Sequence, residues 1–260
     1  MIIRNDNITE ASLGSSSDLN ASAFISKLIS SGGVVNSTVV DAVNNLFLDL
    51  KSNELYDKVK RFYPMVGASQ SACSLEAKLT GHNIIFTNPA GFVFNENGIT
   101  CGGQSGNPAY INQSPYAMFG SNANIGFTMY NRTSRGALAN FPLATTGSPS
   151  PTKTQLNINY DGNNYAFLGT SSLGTTAGLS TGLFMVSRTS DTLMTLSRNG
   201  VVLGTDTTPG SENSNTLVDV FDTTTDNFAF MSFNDGLTPT ESLTFYTIVQ
   251  NFQTALGRAV

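Results

Sequence analysis

Short runs of alternating apolar and polar residues fill most of the chain after Tyr63, and turn-forming residues separate these runs roughly every 8 to 15 positions. This spacing is typical of an all-β sandwich. Two of the turns, Asp161-Gly162 and Asn199-Gly200, are dipeptides that favour tight hairpins. The last run, Phe228 to Phe233, is apolar on nearly both faces, which predicts a central strand buried between two layers.

A helix is predicted after this strand. Thr238-Pro239-Thr240-Glu241 forms a capping box with proline at the first helical position, where its missing N–H is harmless. Gly257 ends the helix, which is predicted over residues 239–256. The apolar face of this helix consists of Phe245, Val249, Phe252 and Leu256.

Helical patterns also occupy the beginning of the chain. Residues 1–17 are polar and rich in serine, which predicts an extended arm. Residues 18–62 predict three short helices, of which the third runs from Asn53 to Phe62 with Leu55, Val59 and Phe62 in phase. The chain is therefore divided into an arm with short helices, 1–62, and a sandwich with a C-terminal helix, 63–260.

The first two helices carry apolar stripes that they cannot bury by themselves. Two interpretations remain open: the stripes cap the sandwich of the same chain, or they attach the protein to a neighbouring subunit or particle. On the second interpretation, the residues that mediate attachment or assembly are Phe24, Leu28, Val43, Leu46, Phe47 and Leu50.

The composition narrows the choice of partners. Charged residues make up only 12% of the chain and the formal net charge is −5, with no cluster of Lys and Arg. Phosphate-rich partners need concentrated positive charge, so we expect neither nucleic acid nor an anionic membrane surface as a partner. No stretch has the length of a membrane span or the pattern of a secretory signal. Cys73 and Cys101 allow one disulfide, although two thiols are favoured.

The residues available for catalysis are few. His82 is the only histidine, and there is neither a G-x-S-x-G motif nor a C-x-x-C motif. No strand presents the paired carboxylates of a glycosidase. The scattered acids Asp161, Asp191, Asp219 and Asp235 sit next to turns, where hydrogen bonds to the nearby backbone explain them. Asp206, Asp222 and Asp226 could supply calcium ligands, but hydrogen bonding within turns is the favoured interpretation of these residues. Taken together, the residues available for chemistry predict a protein without enzymatic activity or a cofactor.

Sugar binding is compatible with the polar and aromatic residues of two loops. Residues 101–120 read as one long loop that contains Tyr110, Asn112 and Tyr116, and the hairpin at Asp161 adds Asn163 and Tyr165. These five residues are the predicted glycan-binding candidates. The chain has no tryptophan, which would be the strongest stacking surface for a sugar.

Three segments carry a resemblance to a known family. They are Phe62-Tyr63-Pro64-Met65-Val66-Gly67, the hairpin SRT…LSRNG, and the C-terminal NDGLTPTE followed by FYTIVQNFQTALGR. Together they resemble the concanavalin A-like jelly-roll domains of bacteriophage structural proteins, over roughly residues 61–260. Glycosidases with this fold carry a Glu-x-Asp-x-x-Glu strand, and nothing in the chain matches it.

The resemblance implies a mainly β jelly-roll sandwich with an N-terminal helical appendage and a C-terminal helix. It also implies a virion protein, displayed on the particle surface as a capsid decoration, head fibre or tail component, with other virion proteins as partners and a homo-oligomeric state. On this interpretation, deletion of residues 1–62 abolishes incorporation while the sandwich still folds. The alternative is a lectin-like adhesion module that recognises glycans of a host surface.

Overall fold

The computed structural model describes residues 17–106, 108–120, 124–133, 141–145, 153–169, 171–176, 178–210, 213 and 215–260. The predicted arm, apart from residue 17, and most of the irregular segment between residues 136 and 151 lie outside the described residues.

The fold is a mainly β sandwich of two antiparallel sheets with a C-terminal helix, which confirms the predicted fold class. The strands are β1 (Val59–Tyr63), β2 (Ile84–Phe86), β3 (Phe92–Asn95), β4 (Gly98–Cys101), β5 (Ala109–Ile111), β6 (Ile125–Asn131), β7 (Phe141–Thr145), β8 (Lys153–Tyr160), β9 (Asn163–Gly169), β10 (Ser171–Thr176), β11 (Gly182–Ser190), β12 (Leu193–Arg198), β13 (Val201–Asp206), β14 (Val218–Asp222) and β15 (Asn227–Asn234).

One sheet, here called the back sheet, has the strand order β13-β12-β11-β6-β15-β4-β3, and β1 also pairs with β15. The other, called the front sheet, has the order β10-β9-β8-β7-β14-β5-β2. Strand β15 is buried along its whole length between its neighbours, as the apolar pattern of this segment predicts.

The described helices are α1 (Leu19–Ser30), α2 (Ser37–Ser52), α3 (Gln70–Cys73), α4 (Pro115–Phe119) and α5 (Pro239–Ala255). The start and end of α5 agree closely with the prediction. Thr238 and Glu241 form both hydrogen bonds of the capping box. Gly257 follows the last turn with φ +68°, a left-handed conformation that suits glycine.

Two elements differ from the prediction. The predicted third helix, Asn53 to Phe62, is wrong, because residues 59–63 form β1 and pair with β15. The side chains of Val59 and Phe62 in this strand are buried, and the ring of Phe62 lies against that of Phe47 in α2. The predicted long loop, residues 101–120, contains strand β5 and the short helix α4.

Two hydrophobic clusters stabilise the molecule. The larger one fills the space between the two sheets. The second lies on the other side of the back sheet, where α1, α2 and α5 cover residues such as Tyr130, Leu183 and Phe230. The central strands of the back sheet, β6, β11 and β15, are thus buried on both faces. No described residue of the second cluster belongs to a strand of the front sheet.

The residues predicted to mediate assembly belong to the second cluster. Phe24, Leu28, Val43, Leu46, Phe47 and Leu50 are each at most 1% exposed. The ring of Phe47 lies 5.2 Å from that of Phe62 and 6.3 Å from that of Phe24. These side chains therefore cap the sandwich of their own chain, and they are not available to a partner in this structure.

The C-terminus is fixed by a buried arginine. Arg258 donates hydrogen bonds to the carbonyl oxygens of Pro64, Met65 and Ala229 at 2.7 to 2.9 Å. The guanidinium is 1% exposed, so these bonds replace its contacts with water. Nearby, Cys73 is buried and is not bonded to Cys101.

Candidate functional site

The outer face of the front sheet is the surface on which polar and aromatic side chains come together. Strands β5 and β14 show why: Ala109, Ile111, Val218 and Val220 face the sandwich core, so the residue between each pair faces outward. These outward residues are Tyr110 and Asp219, which are direct partners across the two strands.

Strand register extends this pair into a row across the sheet, here called the front row. The front row consists of Ile85, Tyr110, Asp219, Ala144, Gln155, Phe167 and Ser172, each of which is the register partner of the next. Tyr110, Gln155 and Phe167 are half-buried, and Ser172 is exposed. The front row therefore brings aromatic rings, an amide and a hydroxyl to one surface, with the buried carboxyl of Asp219 among them.

Asp219 has an unusual environment. Its side chain lies in the middle of β14, and the residue is only 5% exposed. Burial, together with repulsion from Asp222, raises the pKa of Asp219 to about 7. Burial also raises the pKa of Asp222. Near neutral pH, Asp219 can therefore donate a hydrogen bond when protonated or accept one when ionised.

A second group of polar and aromatic side chains lies towards the β9 end of the front row. The rings of Tyr165 and Phe167 are stacked with centroids 6.3 Å apart, and Tyr160 meets Tyr165 edge-on at 6.1 Å. Next to them, Gln155 Nε2 donates a hydrogen bond to Asn157 Oδ1 at 2.8 Å. The arrangement combines flat apolar rings with oriented amides.

Glycine at position 174 leaves room for one of these rings. Gly174 is the register partner of Tyr165, and a Cβ at this position would lie 3.1 Å from Tyr165 Cε1. A larger residue would therefore push the ring away from its place beside Phe167.

The five residues predicted as glycan-binding candidates fall in two places. Tyr110, Asn163 and Tyr165 are on strands of the front sheet, and alternation puts Asn163 on the same face as Tyr165. Asn112 and Tyr116 follow β5, in the connection to α4 and in α4 itself, and both are exposed. Asn112 and Tyr116 are therefore not members of the front row.

Sequence reasoning missed Asp219, Gln155, Asn157 and Phe167. Asp219 lies in a strand next to the turn at Asp222, as the sequence indicates, but it faces outward between the buried residues Val218 and Val220. The V-D-V alternation is a local signal of an outward carboxyl. Nothing local, however, indicates that Tyr110 is its partner.

Two of the other acids have hydrogen-bond partners within the fold. Asp226 accepts hydrogen bonds from Asn131 and Thr133, and Asp206 accepts from Thr208. Within the described part of the chain, no three His, Cys, Asp or Glu side chains are grouped so that they could hold a metal ion. None of the described helices is both long and apolar enough to cross a membrane.

Comparison with known proteins defines the fold class. No protein-family model matches the sequence, and no curated protein matches it. Trypanosoma rangeli sialidase with 2,3-difluorosialic acid is similar in structure, with a TM-score of 0.54 and 12% identity over 80% of this chain and 38% of the sialidase chain. The complex of the same sialidase with sialic acid has a TM-score of 0.51 and 13% identity, over 72% and 32% of the two chains.

The binding domain of Paraclostridial Mosquitocidal Protein 1 gives a TM-score of 0.49 and 11% identity, over 73% of this chain and 52% of that one. The protein thus spans between about a third and about half of the length of these chains. At such low identity the likeness to the sialidases establishes a shared β-sandwich fold.

Proposed function

We propose that the protein is a carbohydrate-binding module and that it binds sugars on the outer face of the front sheet. A sugar ring presents apolar C–H faces that pack on aromatic rings, and hydroxyl groups that bond to amides and carboxyls. The front row and its neighbours supply both kinds of contact. Tyr110, Tyr165 and Phe167 are the aromatic surfaces, and half-buried Gln155 is the accessible hydrogen-bonding group, with the buried polar side chains of Asp219 and Asn157 beside it.

The observation that carries this proposal is the cross-strand pair of Tyr110 and Asp219. This pair places a half-buried ring next to a carboxyl whose pKa is raised to about 7, so that both its protonated and its ionised forms are present near neutral pH. The sialidases that share the fold were solved with sialic acid or its difluoro derivative, which agrees with a sugar ligand. That likeness concerns the fold, so the proposal rests on the surface itself.

A glycan array tests the proposal. Wild-type protein is applied beside Tyr110→Thr and Tyr165→Thr, in which threonine preserves the strand propensity. We expect both variants to bind the strongest glycan about tenfold more weakly, because each loses a stacking surface. Leu19→Ala is the control, since Leu19 is 85% exposed and lies on α1, on the other side of the back sheet from the front row. Absence of wild-type binding to any glycan would overturn the proposal.

A binding role without hydrolysis remains our expectation. The bound glycan can be incubated with the protein and examined for cleavage products by mass spectrometry. Cleavage that is lost in Asp219→Asn would make the protein an enzyme and would change the role of this carboxyl.

The virion role is the second candidate function, and its support is the sequence resemblance of residues 61–260. It locates the protein on a bacteriophage particle, as a homo-oligomer in contact with other virion proteins. Labelling purified particles with an antibody against the protein would test this location, and light scattering would test the oligomeric state. Sugar binding and a virion location are compatible, because adhesion to a host surface needs both.

A further inference from the structure

This inference rests on the proposed function: the length of the front row indicates the size of the sugar that it can bind. Tyr110 on β5 and Phe167 on β9 are separated by four strand spacings, through β14, β7 and β8. At about 4.8 Å per spacing, their backbones lie about 19 Å apart. A single sugar ring cannot contact both ends.

We propose that the ligand is an extended, neutral oligosaccharide that lies across the strands along the front row. Each strand spacing is close to the length of one sugar unit, so a chain of about four or more units reaches from Tyr110 to Phe167. The two aromatic ends stack on separate sugar units. Half-buried Gln155, which lies between them, bonds to the hydroxyls of the central units.

The chemistry of the front row favours a neutral chain. Asp219 is the one acidic or basic residue among its seven members, and Asp222 follows on the same strand. An anionic sugar placed here would be repelled by these carboxyls once they ionise, and no partner in the row would neutralise it.

The surface at the β9 end of the front row is long enough to contact more than one unit of a sugar chain. The stacked rings of Tyr165 and Phe167 form a continuous surface, and Gly174 beside Tyr165 adds no side chain that would interrupt it. Exposed Ser172 and Thr176 follow on the outermost strand, so hydroxyl groups continue the surface to the sheet edge. A chain can therefore enter from this side.

Calorimetric titration with defined oligosaccharides tests this inference on the full chain. The probes are the glucose series of malto- and cello-oligosaccharides and the N-acetylglucosamine series, each from one to six units, with sialyllactose as the anionic probe. We expect affinity to rise at least tenfold between two and five units in one neutral series. Sialyllactose should bind more weakly than the neutral trisaccharide of that series.

Two variants locate the ends of the ligand. Phe167→Thr and Tyr110→Thr should each remove most of the gain between two and five units, while Leu19→Ala, at an exposed position of α1, keeps the gain. A monosaccharide that binds as tightly as the pentamer, or a preference for sialyllactose, would overturn the extended neutral ligand but leave the proposed function standing. If none of the probes and no glycan on the array binds, both are wrong.

Discussion

Tyr110 and Asp219 face each other across neighbouring strands, although they are far apart in the sequence. Because the flanking residues of both strands are in the core, both side chains are directed to the outer face of the front sheet. The pair joins an aromatic ring to a buried carboxyl, and this relationship is the centre of the proposed sugar-binding surface.

The raised pKa of Asp219 predicts a specific dependence of stability on pH. The carboxyl titrates near 3.9 when unfolded and at about 7 when folded, so its contribution to stability is complete below pH 4 and is lost as the pH rises towards 7. Asp219→Asn removes this loss. Urea denaturation gives the free energy of unfolding of the variant and of wild type at each pH. We expect the difference, variant minus wild type, to be larger at pH 8 than at pH 4 by on the order of 2 to 4 kcal/mol.

Asp41→Asn is the control for this experiment, since Asp41 is an exposed acid on α2. Its effect should stay within about 0.5 kcal/mol at both pH values. Equal effects of Asp219→Asn at pH 4 and pH 8 would show that Asp219 has an ordinary pKa.

Helices α1, α2 and α5 form a layer over the back sheet, here called the helical layer, and its packing predicts that the loss of one side chain strongly lowers stability. Phe47 is fully buried among Phe24, Tyr56 and Phe62. Phe47→Ala should therefore lower the free energy of unfolding by about 3 to 5 kcal/mol. The neighbouring Leu48 is 39% exposed, so Leu48→Ala should cost less than about 1 kcal/mol. Similar costs for the two variants would contradict this packing.

The same layer changes the outcome expected for a truncation. The sequence suggests that the sandwich folds without residues 1–62, but the structure shows that α1 and α2 cover the apolar outer face of the back sheet. We expect a chain that begins at residue 58 to aggregate or to bind a hydrophobic dye, because that face becomes exposed. A soluble, cooperatively melting product would mean that the helices are dispensable.

Arg258 predicts how the C-terminus contributes to stability. Its guanidinium bonds to three buried carbonyl oxygens, and Arg258→Met would leave them without these donors. We expect a loss of about 3 kcal/mol or more in chemical denaturation. Lys27→Met, at an exposed position of α1, should change stability by less than about 0.5 kcal/mol. A small effect at Arg258 would mean that water replaces the guanidinium.

Elements whose structure depends on residues close together in the sequence are predictable from the sequence. The capping box of α5 and the apolar run of β15 need only local patterns, and both are found as predicted. The segment Asn53 to Phe62 was predicted wrongly because Leu55, Val59 and Phe62 fit a helical period. In the folded chain, residues 59–63 pair with distant β15 and Phe62 packs against Phe47 of α2, contacts that no local pattern reveals.

The candidate site was only partly predictable for the same reason. Tyr110, Asn163 and Tyr165 stand out as aromatic or amide residues near turns. The front row, however, is produced by strand order, since β14 inserts between β5 and β7. Asp219 becomes a candidate site residue only because this strand order buries it beside Tyr110.

Hydrogen–deuterium exchange tests the central claim most directly. The full chain is measured alone and with the oligosaccharide that binds most strongly, and amide protection is compared peptide by peptide. Binding to the front sheet predicts added protection in peptides that contain β5, β8, β9 and β14, with α1 and α2 unchanged. Protection confined to the helical layer, or no bound oligosaccharide at all, would contradict a sugar-binding front sheet.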